Sequence, residues 1–481
     1  MIELNPKRIL LIHPLGGNKR AASMDIARKA NLMPPLGLAS IAACLERHRF
    51  QADILDFNAE PEREADLESI IRTNKPGFIG FSCTTSSFLD GAGLAAQVKE
   101  WFPSIVTVIG GVHVSALREA VLENYSQFDY GVWGEGEETL RVLMSGETQD
   151  RAGLIYREVG VVKCGGRRDP GLDLDQLPFP AYEKLPGYPE RYTLPIFNYP
   201  KTPNASFTSS RGCPCACSYC DRSVFGATFR SNSAAYVYEH MKYMRDRFGV
   251  KHLNFYDDQF TLDRKRILEL AQRLSAAPLG MTFNCAARPD RVDPEMLGAL
   301  KRAGCWMISL GIETGDPELL ARHRKQGDLD RLRHAIQEIK KAGIRVKGLV
   351  MIGLPGESEA SILTSMRYVH SLPIDDLNVA KFTPFPGTPL YKDIRESGTF
   401  DEDWNRMDCM HFLFVPTGLT HERLQKLFIE FYKRHFMRNR IVWGYITMVW
   451  KSPDSWKRFM LSLGSFLSFA RSNKRWQGEK S

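Results

Sequence analysis

Three cysteines, Cys213, Cys217 and Cys220, follow one another with the spacing C-x3-C-x2-C in the run SSRGCPCACSYCDR. This run constrains the chain more than any other feature, because three thiols this close in sequence can share one bound group. Thiolates are the ligands that iron–sulfur clusters take, and three of them hold three corners of a four-iron four-sulfur cube. The fourth iron then has no protein ligand and is open to a substrate or cofactor.

The alternatives for this run are a zinc site, a disulfide cluster and a chance spacing. Zinc sites pair C-x2-C with a distant second pair of Cys or His, and no second C-x2-C occurs in the chain. Disulfides are disfavoured because ten cysteines in 481 residues are sparse and the N-terminus has no signal-peptide pattern. A fourth thiol, Cys215, lies inside the run, and an inert small side chain is favoured over an alternative cluster ligand.

The run SRGCPCACSYC resembles the cluster loop of the radical S-adenosylmethionine (radical SAM) superfamily. The resemblance implies that Cys213, Cys217 and Cys220 hold a four-iron four-sulfur cluster whose fourth iron binds the amine and carboxylate of S-adenosylmethionine. One electron from the cluster would cleave S-adenosylmethionine and release a 5'-deoxyadenosyl radical. The resemblance also places Tyr219 near the adenine. Cys215 is a departure, since relatives more often have an aromatic or aliphatic residue there.

The length and charge of the chain limit its domain number and its partners. A chain of 481 residues predicts two or three domains, and 43% hydrophobic with 25% charged residues is typical of globular proteins. The net charge of +8 is local, because residues 421–481 hold 13 Lys and Arg against 4 Asp and Glu. The basic excess therefore belongs to the C-terminal region and does not mark the whole chain as nucleic-acid binding.

Strands and helices alternate over residues 1–150. A helix opens at the two prolines of MPPLGLASIAACLERHRF and closes near His48, and the candidate strands are RILLI, ADILDF, FIGFSCT, TVIGGVHV and DYGVWG. This alternation predicts an α/β fold with a doubly wound, Rossmann-like parallel sheet, whose ligands bind beyond the carboxyl ends of the strands. Loops rich in Ser, Thr and Gly follow three of these strands, at residues 82–87, 110–115 and 134–138.

The order of PPLGLASIAACL, this Ser/Thr-rich loop, GGVH and GEGEETL resembles the cobalamin-binding domain of one branch of the radical SAM family. An ordinary flavodoxin-like domain is the alternative from the sheet alone. The resemblance implies cobalamin contacts at Ser82, Thr84, Gly110, Gly111, His113, Gly134 and Glu135.

The histidine signature of cobalamin methyltransferases, Asp-x-His-x-x-Gly, is missing, since the chain reads LDFNAEPE after the second strand. No histidine of that loop can bind cobalt. His113 is the nearest alternative ligand, and a purely structural histidine explains that residue equally well.

A second alternating region follows a Pro- and Gly-rich segment, residues 151–200, that is predicted to be an interdomain linker packed on a surface. Six strand–helix units predict a partial (β/α)6 TIM-like barrel over residues 201–400, with its site at the carboxyl ends of the strands. The candidate strands are SFTSS, HLNFYDD, MTFNCAA, WMISLGIE, VKGLVMIGL and LNVAKFTPF. A helical region, residues 401–481, completes the predicted organisation.

Several charged residues fall at the predicted strand ends of this barrel. S-adenosylmethionine has an ammonium and a ribose diol, which suit carboxylates as partners. It also has a carboxylate, which suits a guanidinium. By resemblance, Asp257 and Asp258 lie near its amino group, Glu313 near the ribose or amine, and Arg288 near the carboxylate or sulfonium. Surface ion pairs or helix caps are the alternative roles for each residue.

The C-terminal region combines a helical apolar stripe with aromatic and basic residues. The stripe is formed by Leu424, Leu427, Phe428 and Phe431, and four tryptophans follow among Lys and Arg: Trp443, Trp450, Trp456 and Trp476. Such residues over 421–481 favour a peripheral contact with an anionic membrane surface. A helical lid over the barrel mouth is the alternative, and nucleic-acid binding is disfavoured because the aromatics cluster with aliphatics. No run of 18 uncharged apolar residues predicts a membrane-spanning helix.

As a whole the chain resembles the cobalamin-dependent class of radical SAM enzymes, within the anaerobic cyclase and phosphinate methylase group. The resemblance implies three cofactors, namely a four-iron four-sulfur cluster, S-adenosylmethionine and cobalamin, and an electron donor such as flavodoxin or ferredoxin. Methylation of an unactivated carbon in a hydrophobic, lipid-like or secondary-metabolite substrate is the first hypothesis. The expected location is the cytoplasm, at or near the inner face of the membrane. The alternatives are oxidative cyclisation or rearrangement without methyl transfer, and a non-enzymatic cobalamin or iron–sulfur sensor.

Overall fold

A computed structural model describes residues 3–16, 32–147, 149–169, 171, 173–325 and 328–461. The first sheet has seven strands in the order β2-β1-β3-β4-β5-β6-β7, of which the first five run parallel. This order reverses between β1 and β3, where doubly wound sheets bind ligands at the carboxyl ends. Its strands are β1 (Asn5–His13), β2 (Gln51–Asp56), β3 (Pro76–Ser82), β4 (Val106–Gly110), β5 (Tyr130–Val132), β6 (Leu154–Glu158) and β7 (Val161–Cys164).

The helices of this first unit pack apolar faces on the sheet. The predicted first helix is confirmed: it follows Pro35, ends before His48 and buries Leu38, Ala42 and Leu45 at helical spacing. Its α-helices among the described residues are α1 (Leu36–Arg47), α2 (Leu67–Asn74), α3 (Phe88–Trp101), α4 (Val112–Leu117), α5 (Glu119–Asn124) and α6 (Glu137–Ser145).

Two details differ from the sequence-based expectation. The strand predicted in TVIGGVHV ends at Gly110, and α4 begins at Val112. The segment predicted as a linker begins with the β6–β7 hairpin, which extends the first sheet antiparallel from β5. Its two-residue turn, Val159 and Gly160, has positive φ at both positions, the geometry that matches the twist of a hairpin.

The second sheet has six parallel strands in the order β15-β14-β13-β12-β11-β8, so each strand pairs with its neighbour along the chain. This is the predicted partial barrel. Its strands are β8 (Asn204–Phe207), β11 (His252–Phe255), β12 (Thr282–Ala287), β13 (Cys305–Glu313), β14 (Arg345–Ile352) and β15 (Asp376–Lys381). The helices between and after them are α7 (Ala234–Phe248), α8 (Arg264–Ala276), α9 (Pro294–Arg302), α10 (Pro317–Arg322), α11 (Leu329–Lys341) and α12 (Glu359–Ser371).

The strands of the partial barrel alternate between buried and accessible side chains. On β14, every second residue from Val346 to Ile352 is buried, whereas those between, such as Leu349 and Met351, stay partly exposed. Because side chains of a strand point alternately to its two faces, one face packs on the helices and the other lines an open lumen.

A small antiparallel hairpin, β16 (Gly398–Phe400) with β17 (Phe414–Pro416), leads into the helical C-terminal region. Its helices are α13 (His421–Phe436), α14 (Asn439–Ile446), α15 (Met448–Lys451) and α16 (Pro453–Leu461). The predicted stripe of α13 is confirmed, since Leu424, Leu427 and Phe431 are fully buried in the barrel core. The Val379 N–H of β15 donates to Tyr432 Oη at 2.9 Å, so α13 covers this edge strand.

Helices α14–α16 close the amino end of the barrel. Tyr445 Oη donates to Asp376 Oδ1 at 2.9 Å, at the first residue of β15. Asp454 Oδ2 accepts from Thr202 N at 3.0 Å, just before β8. These helices therefore pack at the end opposite the mouth, so they do not form the lid that was the alternative to a membrane contact. Trp476 lies outside the described residues, and within them no helix has the length and apolar character needed to cross a membrane.

Candidate active site

The cysteine run lies in the loop between β8 and α7, at the carboxyl end of the partial barrel, where this architecture places its chemistry. Two short strands, β9 (Ser210–Arg211) and β10 (Arg230–Ser231), pair antiparallel and close the base of this loop. Gly212 has φ +84°, and a Cβ there would lie 2.2 Å from the carbonyl oxygen of Thr228. Only glycine fits this position, which explains the Ser-Arg-Gly that precedes Cys213.

The three cysteines differ in exposure: Cys217 is buried, Cys213 is partly exposed and Cys220 is exposed. A hydrogen bond from Cys220, helped by the charge of Lys325, lowers the pKa of Cys217 to about 6, which favours the thiolate that binds iron. No three His, Cys, Asp or Glu side chains in the described residues converge on a single metal ion. Thiolates of an iron–sulfur cube bind different irons, one thiolate to each.

His323, which sequence reasoning missed, fastens the cysteine loop to the barrel. Its carbonyl accepts from Ser218 N at 3.1 Å, and its Nδ1 lies 3.0 Å from Ser218 Oγ. Its Nε2 lies 2.9 Å from the carbonyl oxygen of Pro355, which can only accept, so Nε2 carries the proton. The loop is thereby tied to the turn after β14, GLPGE at residues 353–357.

Tyr219, Arg288 and Glu313, three predicted contacts of S-adenosylmethionine, lie close to the cysteines and to one another. Arg288 is buried at the end of β12, pairs with Asp290 at 2.9 Å, and exerts its charge on Cys217. Glu313 sits at a bulge of β13 with φ +63° and also influences Tyr219 electrostatically. Their proximity produces a pocket edge with both charge signs, as the ammonium and carboxylate of S-adenosylmethionine require.

Lys325 joins this group, although it stands in a charged run, ARHRKQ, that resembles an ordinary solvated surface. Its Nζ donates to Glu313 Oε1 at 2.9 Å. Burial alone would lower the pKa of Lys325, but the charge of Glu313 outweighs burial and the pKa is raised. Lys325 is therefore a fixed cation beside Cys217.

The predicted aspartate pair separates in the structure. Asp257 is buried and accepts from Ser209 N at 2.6 Å and from Ser209 Oγ at 2.5 Å. It thus anchors the segment that enters the cysteine loop instead of facing the lumen. Asp258 is exposed, and its charge acts on Cys213. Of the two carboxylates, Asp258 is placed to meet an ammonium.

The predicted cobalamin contacts lie along one edge of the first sheet. Ser82 and Gly110 are paired at the carboxyl ends of β3 and β4, and Gly134 follows β5. Gly111 has φ +107°, and a Cβ there would lie 2.4 Å from the carbonyl oxygen of Cys83. The exposed Thr84 caps the adjoining turn, with its N–H donating to Ser87 Oγ at 3.0 Å. This edge is bare backbone and hydroxyl, which suits the approach of a large ligand.

His113 is enclosed instead of open to this edge. Its ring is fully buried, with centroids 4.2 Å from Phe88 and 4.6 Å from Trp404, and its Nδ1 lies 3.4 Å from Thr85 Oγ1. Burial lowers the pKa of His113 to about 4, so the ring is neutral near pH 7. This packing favours the structural role over that of a cobalt ligand.

Glu135, which stays a predicted cobalamin contact, pairs with Arg211 and Arg230 of the barrel. Beside it, Glu137 Oε1 accepts from Arg211 Nη2 at 2.6 Å and from Ser40 Oγ at 2.6 Å. Burial would raise the pKa of Glu137, but Arg211 outweighs burial and the pKa is lowered. The first domain therefore contacts the barrel through ion pairs of the GEGEE segment, residues 134–138.

The cysteine loop itself touches the first domain. Ser223 Oγ lies 3.4 Å from the carbonyl oxygen of Val112, which follows β4 and Gly111. Arg167 Nη2 donates to the carbonyl of Val224 at 2.6 Å. The cysteine loop and the bare edge of the first sheet consequently face each other.

Models of two protein families match these two regions of the chain. The model of the radical SAM superfamily matches residues 207–369, and that of the B12 binding domain matches residues 23–144. The chain is a radical SAM enzyme with a cobalamin-binding domain. Its cofactors are a four-iron four-sulfur cluster, S-adenosylmethionine and cobalamin, and both candidate edges described above have donor sets that suit them.

Relatives of this radical SAM enzyme span most of its length. An uncharacterized methyltransferase, PH0819 of Pyrococcus horikoshii, is 28% identical over 416 residues, which cover 85% of this chain and 89% of the relative. The anaerobic magnesium-protoporphyrin IX monomethyl ester cyclase of Rubrivivax gelatinosus is 25% identical over 473 residues, covering 96% and 82%. The structure of the radical S-adenosylmethionine methyltransferase TsrM from Kitasatospora setae shares the fold, with a TM-score of 0.64 and 18% identity over 81% of this chain and 76% of that one.

Proposed function

We propose that this enzyme methylates an unactivated carbon of a hydrophobic small molecule. The observation that carries the proposal is the contact between Ser223 of the cysteine loop and Val112 behind the bare sheet edge, at 3.4 Å. This contact supports the proposal that the two cofactor regions open into one chamber at the carboxyl end of the barrel. A shared chamber is what a reaction needs when a substrate must meet both cofactors.

When bound, the cluster and S-adenosylmethionine supply the 5'-deoxyadenosyl radical that removes a hydrogen atom, and cobalamin supplies the methyl group. One molecule of S-adenosylmethionine leaves as methionine and 5'-deoxyadenosine, which carries that hydrogen. A second molecule gives up its methyl group and leaves as S-adenosylhomocysteine. A low-potential donor of the flavodoxin or ferredoxin class supplies the electrons.

The residues of this chain bind and orient these partners. In the proposal, Cys213, Cys217 and Cys220 hold the cluster, and Tyr219 lies beside the adenine. Asp258 meets the ammonium of S-adenosylmethionine, while three further side chains hold its carboxylate and ribose: Arg288, Glu313 and Lys325. The pairing of Lys325 with Glu313 at 2.9 Å keeps both charges in place before S-adenosylmethionine arrives.

The lumen supports a substrate with both apolar and polar parts. Leu349 and Met351 are partly exposed on β14, and Ser309 and Asn254 are partly exposed on β13 and β11. Apolar walls with a few polar groups are typical of small-molecule pockets. The name of the cyclase relative refers to a porphyrin ester, a large and mainly apolar molecule of the kind proposed here.

The test uses S-adenosylmethionine with a deuterated methyl group, reduced holoenzyme and an extract of the native host as the source of substrate. We expect 5'-deoxyadenosine, S-adenosylhomocysteine and one extracted compound that gains the labelled methyl group. The Cys217→Ala variant in the same extract is the control for background methylation. Turnover of S-adenosylmethionine with no labelled product would contradict methyl transfer to the substrate.

Oxidative cyclisation without methyl transfer is the second candidate. It is favoured by the cyclase relative, whose match covers 96% of this chain. In the same experiment it predicts 5'-deoxyadenosine and a product that has lost hydrogen and carries no label. S-adenosylhomocysteine then stays at the level of the control.

The surroundings of the reaction belong to the same proposal. We expect the enzyme to work in the cytoplasm, at or near the inner face of the membrane, with reduced flavodoxin or ferredoxin as its electron source. Replacing a chemical reductant by reduced flavodoxin should support 5'-deoxyadenosine formation by the holoenzyme. Failure of both flavodoxin and ferredoxin would remove this class of donor.

A further inference from the structure

Helices α14 and α15 carry an exposed apolar face. Thr447, between them, keeps a helical backbone at φ −66° and ψ −12°, so residues 439–451 form a nearly continuous helix. Trp443 is 66% exposed and Trp450 is 76% exposed, and both lie on one side because they are seven residues apart. The other exposed apolar side chains of this face are Val442, Ile446 and Val449.

The opposite face of this helix is firmly packed. Ile441 and Met448 are buried, and Tyr445 donates to Asp376 at the amino end of β15. Arg440 Nη2 donates to the carbonyl of Ile374 at 2.6 Å. The helix is thus apolar on both sides, and such a helix is expected to be covered on both sides. Protein covers the inner side, whereas the outer side is open in the described part of the chain.

The charge around this face has one sign. From residue 431 to residue 453 the sequence has no Asp or Glu, but it has Lys433, Arg434, Arg438, Arg440 and Lys451. The next acidic residue, Asp454, is engaged by Thr202 N and Oγ. The sequence after residue 461 adds four basic residues against one acidic residue. Apolar and tryptophan side chains bordered by positive charge complement the headgroups and outer acyl region of an anionic bilayer.

We propose that the α14–α15 face docks this enzyme on an anionic lipid surface. Val442, Ile446 and Val449 give the bilayer an apolar contact that the phosphates and bases of a nucleic acid would not use. The face lies at the amino end of the barrel strands, opposite the cysteine loop. Docking therefore keeps the chamber turned away from the lipid, so the face positions the enzyme and does not pass a lipid into the site. The inference does not depend on methyl transfer.

The test is co-sedimentation of the full-length holoenzyme with vesicles of phosphatidylcholine, alone or mixed with phosphatidylglycerol, in low and high salt. We expect sedimentation only with the anionic vesicles, weakened by salt. Replacing Trp443 and Trp450 by Ala should abolish it. The matched control replaces Val159 and Met410 by Ala. These side chains are 98% and 55% exposed elsewhere on the surface, and the control variant should sediment like the wild type.

A second set of variants measures how much of the vesicle binding depends on positive charge. Neutralising Lys433 and Lys451 with Gln should lower the partition coefficient about thirtyfold, from about fivefold for each charge near an anionic surface. The control pair, Lys265→Gln with Lys392→Gln, removes two exposed charges elsewhere and should have little effect. All these variants should form 5'-deoxyadenosine at the wild-type rate without vesicles.

A direct measurement protects the test against a misfolded variant. Brominated phosphatidylglycerol should quench the tryptophan fluorescence of the wild-type enzyme, because Trp443 and Trp450 are the exposed tryptophans among the described residues. Absence of quenching, equal sedimentation of the Trp443/Trp450 variant, or binding to phosphatidylcholine alone would overturn the proposal. So would competition by RNA, or a dimer in solution that the Trp443/Trp450 variant converts to monomer.

Discussion

Arg211 donates from Nη2 to Glu137 Oε1 across 2.6 Å, and this bond joins the barrel to the cobalamin-binding domain. Both side chains are largely buried, and Arg211 stands two residues before Cys213. Arg211, which binds the first domain, therefore belongs to β9, the short strand that leads into the cysteine loop. One residue, Gly212, separates this domain contact from the first cysteine.

Replacing Glu137 by Gln should weaken this connection. We expect the free energy of unfolding to fall by about 2 kcal/mol, because Arg211 loses one of its two carboxylate partners in a buried site. Methylated product should fall more than 5'-deoxyadenosine, since the two cofactor regions lose their alignment. The measurements are urea unfolding and the ratio of the two products.

The neighbouring variant Glu138→Gln is the matched control. Glu138 pairs with Arg141 at 2.8 Å outside the domain contact, where an ion pair contributes less than about 1 kcal/mol. Equal effects of the two substitutions on the product ratio would contradict the role given to Glu137.

Removing a cluster thiol should differ from removing its neighbour. We expect Cys217→Ala to lose the cluster, measured as iron and sulfide content after anaerobic reconstitution, and to form no 5'-deoxyadenosine. Cys215→Ala should keep both, because its thiol is predicted to be inert. Loss of cluster iron in Cys215→Ala would show that the ligand assignment is wrong.

Gly111→Ala should damage the cobalamin edge. A Cβ at φ +107° and 2.4 Å from the Cys83 carbonyl oxygen forces the loop apart, at a cost of about 1–3 kcal/mol. We expect weaker retention of cobalamin, read from the absorption spectrum after gel filtration. Gly93→Ala, in the middle of α3 with no atom within 4 Å of its added Cβ, should instead leave cobalamin bound and stabilise the helix by up to about 1 kcal/mol.

The GLPGE turn should make stability depend on pH. Burial raises the pKa of Glu357 to about 8, although its carboxylate accepts from Gly353 N at 2.5 Å. The folded state thus holds a proton that the unfolded state releases above its ordinary pKa of 4.5. This contribution is complete below pH 4.5 and is lost as the pH rises to 8, with a slope of up to about 1.4 kcal/mol per pH unit.

Glu357→Gln should remove that slope in urea unfolding between pH 5 and pH 8. Glu359→Gln is the control. A hydrogen bond from Arg423 lowers the pKa of Glu359 in the folded state, and the ordinary pKa of 4.5 leaves this side chain mainly ionised in the unfolded state over this range. A wild-type slope that persists in Glu357→Gln would assign the effect to another group.

Local patterns predicted most of the fold but not the contacts between its parts. The strands of both parallel sheets and the helix ending before His48 follow from periodicity and turn residues in short windows. The partners of Glu135 and Glu137 lie more than 70 positions away, on Arg211 and Arg230, and no local pattern identifies them.

In the site, too, local patterns predicted the loop but not its long-range contacts. The cysteine spacing and Gly212 are short-range signals, and they predicted the loop. The separation of Asp257 from Asp258 depends on Ser209, which takes one carboxylate into the core. The apolar stripe of the C-terminal region predicted helix α13. The packing of the later helices α14–α16 at the amino end of the barrel depends on Asp376 and Thr202, which no local pattern connects with them.

Trp404 links the folding of the first domain to a residue far downstream in the chain. Its ring packs 5.7 Å from that of Phe88 and 4.6 Å from that of His113, beside the turn that follows β3. The first domain leaves the ribosome early and folds as a unit. The packing of Trp404 on Phe88 and His113 can form only after residue 404 has been synthesised. The aromatic cluster around His113 is therefore completed by a residue almost 300 positions later in the chain than His113 itself.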